Sequence, residues 1–221
     1  MIRLLSIADC VTITNLVFGF FSIIMALMNE MRFAFTFIFL ALMADGLDGI
    51  VARKTRQSKV GGHLEAEADI VSSGVAPAVF IYMTYQNIGF ENIYYKVFLI
   101  ALLALFLFAT STRLGCFHIL ESRENFVGLP APASAIILLL LSLLEVNLIF
   151  LLLVLFTISI AMISSIRFPK PSVMMDGVTG VLIILTIILW KSYFSIAPAI
   201  MLTSILIYTI GGPLHLLKSK K

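Results

Sequence analysis

Four carboxylates stand at helical spacing in a chain that otherwise avoids charge. Asp45 and Asp48 are three residues apart, and Glu65 and Asp69 four apart. At those separations each pair shares one face of a helix. Five of the twelve acidic residues, these four and Glu67, fall between Met43 and Gly74. Oxygen donors clustered in this way suit a hard divalent cation such as Mg²⁺, Mn²⁺ or Ca²⁺. His63 has no companion His or Cys at ligand spacing, so it reads as a helix-start residue and zinc is disfavoured. Gly46, Gly49, Gly61 and Gly62 strip side chains from around the acids and let a ligand or a second backbone approach. Arg53 follows Asp48 by five residues, where its guanidinium can grip a phosphate with two hydrogen bonds. Carboxylates, hard cations, small residues and an arginine together describe phosphoryl transfer.

The elements that must position these groups are membrane helices. The chain has 221 residues, is 61% hydrophobic and 12% charged, and its mean hydropathy is +1.09. That composition predicts a polytopic membrane protein. In such a setting one Asp at the centre of a membrane helix costs roughly 2.5–3.5 kcal/mol, so four carboxylates require a compensating cation. No secretory signal with a small-residue cleavage site is read at the start of the chain. Cys10 and Cys116 lie in apolar surroundings and form neither a disulfide framework nor a zinc site. The net charge of +3 follows from membrane topology and says little about nucleic acid.

Apolar runs near 20 residues predict eight spans: 10–29, 33–53, 63–84, 94–117, 129–145, 147–166, 174–190 and 194–216. The weakest boundary is Glu145-Val146-Asn147. With the N-terminus in the cytoplasm, alternation leaves only Arg32, Lys96 and Lys191 of the fifteen basic residues outside. The positive-inside rule therefore supports both count and orientation. The expected fold is an all-α, polytopic integral membrane bundle of about eight transmembrane helices, with both termini cytoplasmic. It forms a single domain over 1–221, with no repeats or low-complexity tracts. The acids then lie at the cytoplasmic ends of the second and third spans, whose tight basic connection makes them antiparallel neighbours.

The stretch Asp45-Gly-Leu-Asp48-Gly49-Ile-Val-Ala52-Arg53, followed by Gly61-Gly-His-Leu-Glu65-Ala-Glu-Ala-Asp69, resembles the signature of the CDP-alcohol phosphotransferases. The family pattern is Asp-x2-Asp-Gly-x2-Ala-Arg, a spacer, then Gly-x3-Asp-x3-Asp. This chain departs at two places: Glu65 stands where the third Asp is expected, and the spacer is one residue short. The resemblance implies that Asp45, Asp48, Glu65 and Asp69 bind two divalent ions, Mg²⁺ or Mn²⁺, at the pyrophosphate of a CDP-linked lipid. It implies that Asp69 is the general base for the acceptor alcohol. Gly49, Ala52 and Gly61 would line the cytidine, with Arg53 on phosphate. Glu67 points away from the shared face of Glu65 and Asp69 and reads as peripheral.

Three further stretches resemble the serine-using branch, the phosphatidylserine and archaetidylserine synthases. They are Thr12-Ile-Thr-Asn15-Leu-Val-Phe-Gly19, Asp69-Ile-Val-Ser72-Ser-Gly74-Val-Ala-Pro77-Ala, and Phe126-Val-Gly128-Leu-Pro130-Ala-Pro132-Ala, that is 12–19, 69–78 and 126–133. By that resemblance Thr12 and Asn15 face the CDP-lipid's nucleotide. Arg113, following Phe108-Ala-Thr-Ser-Thr112, is the candidate for the acceptor's carboxylate; the second arginine that the branch often carries three residues later is Cys116 here. The resemblance thus implies transfer of a phosphatidyl-type group, on diacylglycerol or archaeol, from a CDP-lipid to L-serine with release of CMP. It further implies a homodimer in the cell membrane with its active site facing the cytoplasm. Arg123, Arg167 and Lys170, beside Arg113, keep open an acceptor that brings its own phosphate, glycerol phosphate or inositol phosphate. A cation transporter is the alternative of another class, but it would place broken helices near the midplane of both halves. A family member inactivated by Glu65 is a further alternative, weakened because Glu binds hard metals competently.

Overall fold

The computed structural model describes residues 5–54, 58, 60–88, 92–120, 125–169, 173–190 and 196–218, except the side chains of 49–54, 87, 117–120, 173, 174, 176, 215, 217 and 218. The described residues form helices α1 (Ile7–Leu27), α2 (Met31–Lys54), α3 (Gly61–Asp69), α4 (Ala76–Ile88), α5 (Ile93–Leu120), α6 (Ala131–Leu143), α7 (Leu148–Ile163), α8 (Val173–Leu189) and α9 (Ile196–Lys218). A π-helical turn, Ile70–Val75, joins α3 to α4 without a break. Among the described residues there are therefore eight helical rods, in the places where the apolar runs put the spans.

Four rods are long and apolar enough to cross a membrane: Ile7–Leu27, Gly61–Gln86, Ile93–Cys116 and Ile196–Leu214. Helix α2 has the length, 24 residues, but carries Arg32, Asp45, Asp48, Arg53 and Lys54. Helix α6 has only 13 residues, about 20 Å of rise against a hydrocarbon core near 30 Å. The chain ahead of it, outside the expected span 129–145, is an extended strand, β1 (Asn125–Val127), paired antiparallel with β2 (Arg167–Pro169). Pro130 and Pro132 then start the helix, where a missing N–H is harmless.

Local chemistry explains the ends. Ser6 and Asp9 form a reciprocal capping box on α1, Asp9 N–H donating to Ser6 Oγ (3.2 Å) and Ser6 N–H to Asp9 Oδ2 (2.6 Å). Asn29 (φ 65°) and Glu145 (φ 51°) adopt left-handed backbone where α1 turns into α2 and α6 into α7. Asn147 caps α7 by accepting from Ile149 N–H at 2.9 Å.

The interior divides into two apolar clusters that share α4 and α6. One gathers Ile81, Leu99, Phe106, Leu138, Leu151 and Leu155; the other gathers Phe35, Phe39, Phe80, Leu139 and Leu140. Nearly every residue of α6 is buried, the pattern of a helix that is apolar all round and enclosed by others. This two-sided wall fixes α4, and through the π-turn it fixes α3 and its acids.

Candidate active site

Helix α1 buries Ala8, Asp9, Thr12, Asn15, Gly19, Ser22 and Ala26, a stripe at three- and four-residue spacing and therefore one face. Small residues along such a stripe let neighbouring backbones come close. At Gly19 the approach is closest: an added Cβ would lie 3.1 Å from Val71 Cγ1 and 3.2 Å from Ser72 Cα, both in the π-turn.

Two polar members of the stripe reach the acids. Thr12 Oγ1 donates to Asp48 Oδ2 at 2.7 Å, with the Ala8 carbonyl 3.2 Å away as its other possible acceptor. Asn15 Nδ2 donates to Asp69 Oδ1 at 3.1 Å. Asn15 is completely buried, and its Oδ1 has no hydrogen-bond partner among the described residues. Its amide is thus committed through its donor end to one oxygen of Asp69. The sequence suggested that Thr12 and Asn15 face the nucleotide; here they hold two of the carboxylates.

Asp48 and Asp69 are 5% and 7% exposed, whereas Asp45 and Glu65 are half-buried at the edge of the cluster. The side chains of Asp45 and Asp69 lie within hydrogen-bonding reach of each other, and Asp48 and Glu65 lie within electrostatic range of both. The two predicted pairs therefore do converge. A hydrogen bond between two carboxyl groups needs a proton on one of them, and a cation shared by both oxygens meets the same need. Among the described residues no three His, Cys, Asp or Glu side chains are yet gathered around one ion position. The donor set nonetheless fits hard divalent ions: all-oxygen, crowded with like charge, and without a sulfur or imidazole competitor. His63 and Glu67 are exposed.

The π-turn sits immediately after Asp69. Such turns insert one extra residue into a helix and recur at functional sites. Gly19 of α1 packs against it, and the turn's own Gly74 faces α5, where an added Cβ would lie 3.3 Å from Thr110 Cγ2. Ser72 and Ser73 are fully buried, and their hydroxyls have no partner among the described residues. Gly61, at the other end of α3, leaves room for Asp9: an added Cβ would lie 3.1 Å from Asp9 Oδ1 and 3.4 Å from Ser58 Oγ. Asp9 also hydrogen-bonds Ser58, tying the start of α1 to the entry of α3. Sequence reasoning missed this tie, although Ser6-x-x-Asp9 ahead of an apolar run is a readable capping box.

Arg113, on α5, is 9% exposed and within electrostatic range of Asp45. Its guanidinium carbon lies 5.9 Å from the ring centroid of Phe126. Phe126 and Asp45 both line a cavity of about 690 Å³ between α2, α6, α8 and α9, whose walls are otherwise mainly apolar. Gly46, Gly177 and Gly180 line it too, and an added Cβ at any of them would meet nothing within 4 Å. The readings placed on Gly49, Ala52 and Arg53 fall on positions of α2 whose side-chain surroundings lie outside the described residues, as do the side chains of Lys54, Arg56, Lys59, Arg123 and Lys170. Arg167 is exposed in β2.

Comparison with known proteins bears on this arrangement. The family described as CDP-alcohol phosphatidyltransferase matches residues 5–162. A CDP-diacylglycerol–serine O-phosphatidyltransferase of Methanocaldococcus jannaschii is 37% identical over 173 residues, 76% of each chain. An archaetidylserine synthase of Methanothermobacter thermautotrophicus is 29% identical over 75% of this chain and 70% of its own. A CDP-diacylglycerol–serine O-phosphatidyltransferase of Bacillus subtilis is 33% identical over 72% of this chain and 87% of its own.

Proposed function

The chain belongs to the CDP-alcohol phosphatidyltransferase family, and from that premise we propose the reaction its site performs. It transfers a phosphatidyl-type group from a CDP-linked lipid to the hydroxyl of L-serine and releases CMP. The observation that carries this reading is the convergence of Asp45, Asp48, Glu65 and Asp69, with Asp45 also lining an apolar groove.

Asp45, Asp48, Glu65 and Asp69 are the residues that would hold the two divalent ions, Mg²⁺ or Mn²⁺. Two such ions would supply charge neutralisation for the pyrophosphate and for the oxygens on which charge develops during transfer. Asp69 takes the proton of the serine hydroxyl. The serine oxygen attacks the lipid-side phosphorus, the bond from that phosphorus to the bridging oxygen breaks, and CMP leaves with the electron pair. Asn15 holds Asp69 by one oxygen, leaving the other for this work. Thr12 does the same for Asp48. Arg113 takes the serine carboxylate as a charged hydrogen-bond donor. The groove between α2, α6, α8 and α9 takes the lipid chains, its width kept by Gly46, Gly177 and Gly180. The residues 1–221 act as one domain, its helical rods embedded in the cell membrane with both termini and the acids on the cytoplasmic side.

The decisive experiment measures CMP release from a CDP-lipid by the detergent-solubilised protein with serine, glycerol phosphate or inositol phosphate. Serine-dependent release, lost with EDTA and with Asp69→Asn and restored by Mg²⁺ or Mn²⁺, is the expected result. Release with another alcohol but not with serine refutes the acceptor, and an unaffected Asp69→Asn refutes the base. The mass of the solubilised particle tests the homodimer.

A further inference from the structure

Phe126 belongs neither to the acid cluster nor to the family signature, yet it meets two parts of the site. It is fixed from behind. In β1 it pairs with Phe168 of β2, which is 3% exposed. Strand β2 is fastened to α9, where Tyr208 Oη donates to the Pro169 carbonyl at 2.8 Å. Gly212 of α9 is so close to Pro169 that a Cβ there would lie 2.8 Å from its Cδ. Gly128 N–H donates to the Ile166 carbonyl (2.8 Å) and Leu129 N–H to the Ala161 carbonyl (3.1 Å), closing the far side of the strand pair.

A ring carried on a strand anchored in this way is a platform for a flexible neighbour. Arg113 has several side-chain torsions to fix, and its guanidinium lies within the range at which an aromatic face attracts a cation. The same ring lines the groove that has Asp45 at its rim. We propose that Phe126 is the positioning residue that aims Arg113 at the acceptor's carboxylate, and so sets the preference for a carboxylate-bearing alcohol. This rests on the serine reading above. Phe126 touches no reacting atom; it acts through Arg113.

The test uses the full-length protein in detergent, with CMP release measured against serine and against CDP-lipid for Phe126→Leu and Phe126→Tyr. Phe126→Leu keeps an apolar wall and removes the ring. It should raise the serine KM by about 2- to 30-fold, the factor a cation–π contact supplies, and by more than it raises the CDP-lipid KM. Phe126→Tyr restores the ring and should restore the serine KM. In an Arg113→Ala background, Phe126→Leu should add nothing to the serine KM.

A CDP-lipid KM that rises while the serine KM stays fixed makes Phe126 a groove wall only and overturns the proposal. So does an undiminished effect in the Arg113→Ala background. If Phe126→Leu does not give a folded, monodisperse particle, Phe126→Met takes its place. If the wild-type protein uses another alcohol instead of serine, the serine reading falls by itself. The same variants are then read on that alcohol's KM, and an unchanged value overturns the role of Phe126.

Discussion

Replacing Asn15 by Leu separates the two roles that this residue can have. Leu has nearly the shape of Asn and no donor, and the site is completely buried, so water cannot replace the lost hydrogen bond to Asp69, 3.1 Å in the native structure. Hydrogen bonds to charged groups contribute about 1.5–3 kcal/mol. At about 1.4 kcal/mol per factor of ten, that predicts a fall in kcat of roughly 10- to 150-fold. Stability should change little. Losing the bond leaves Asp69 Oδ1 short of a donor, which costs about 1–3 kcal/mol, while removing Asn15 Oδ1, buried without a partner among the described residues, relieves a penalty of similar size. The assay is CMP release with saturating serine and varied CDP-lipid, alongside thermal unfolding in detergent. A normal kcat with a CDP-lipid KM raised tenfold would mean that Asn15 contacts the nucleotide, as the sequence alone suggested. Unchanged kcat and KM would refute any role for the Asp69 hydrogen bond.

Gly19→Val should push on Val71 and the Ser72 backbone, destabilising by about 1–3 kcal/mol and lowering both melting temperature and kcat. Gly128 has φ +75° and a Cβ there would collide with the Met162 carbonyl oxygen, so Gly128→Ala should sharply reduce the yield of folded protein by size-exclusion chromatography. Glu65→Asp restores the family pattern but withdraws the carboxylate by one methylene. If Glu65 is adapted to this cluster, turnover should drop and the Mg²⁺ or Mn²⁺ concentration for half-maximal activity should rise; a large gain in turnover would show instead a site damaged by Glu65.

The acid cluster was legible because charge is conspicuous in an apolar chain, and Asp45, Asp48, Glu65 and Asp69 fall on shared faces by spacing alone. The rods were legible because Asn29-Glu30 and Glu145-Val146-Asn147 interrupt long apolar runs, and both breaks are turns in the structure. What Thr12 and Asn15 bind was not legible. Their three-residue spacing shows a common face, but their partners lie 36 and 54 residues away. The β1–β2 pair was hidden for another reason: three-residue strands such as Asn125–Val127 are too short to show alternation. The π-turn left no trace either, since Ile-Val-Ser-Ser-Gly-Val has the composition of any packed membrane helix.

That turn makes the segment from Gly61 to Ile88 two helices out of phase. One residue corresponds to about 100° of helical rotation, so a single deletion within Ile70–Val75 would let the rod straighten into one regular α-helix. All its backbone bonds could be kept, yet Glu65 and Asp69 would swing by that angle relative to the wall formed by α4 and α6. The aim of the acids is therefore encoded in chain length over six residues as well as in the side chains there. A one-residue change in length could retarget or silence the site while every carboxylate stays in the sequence.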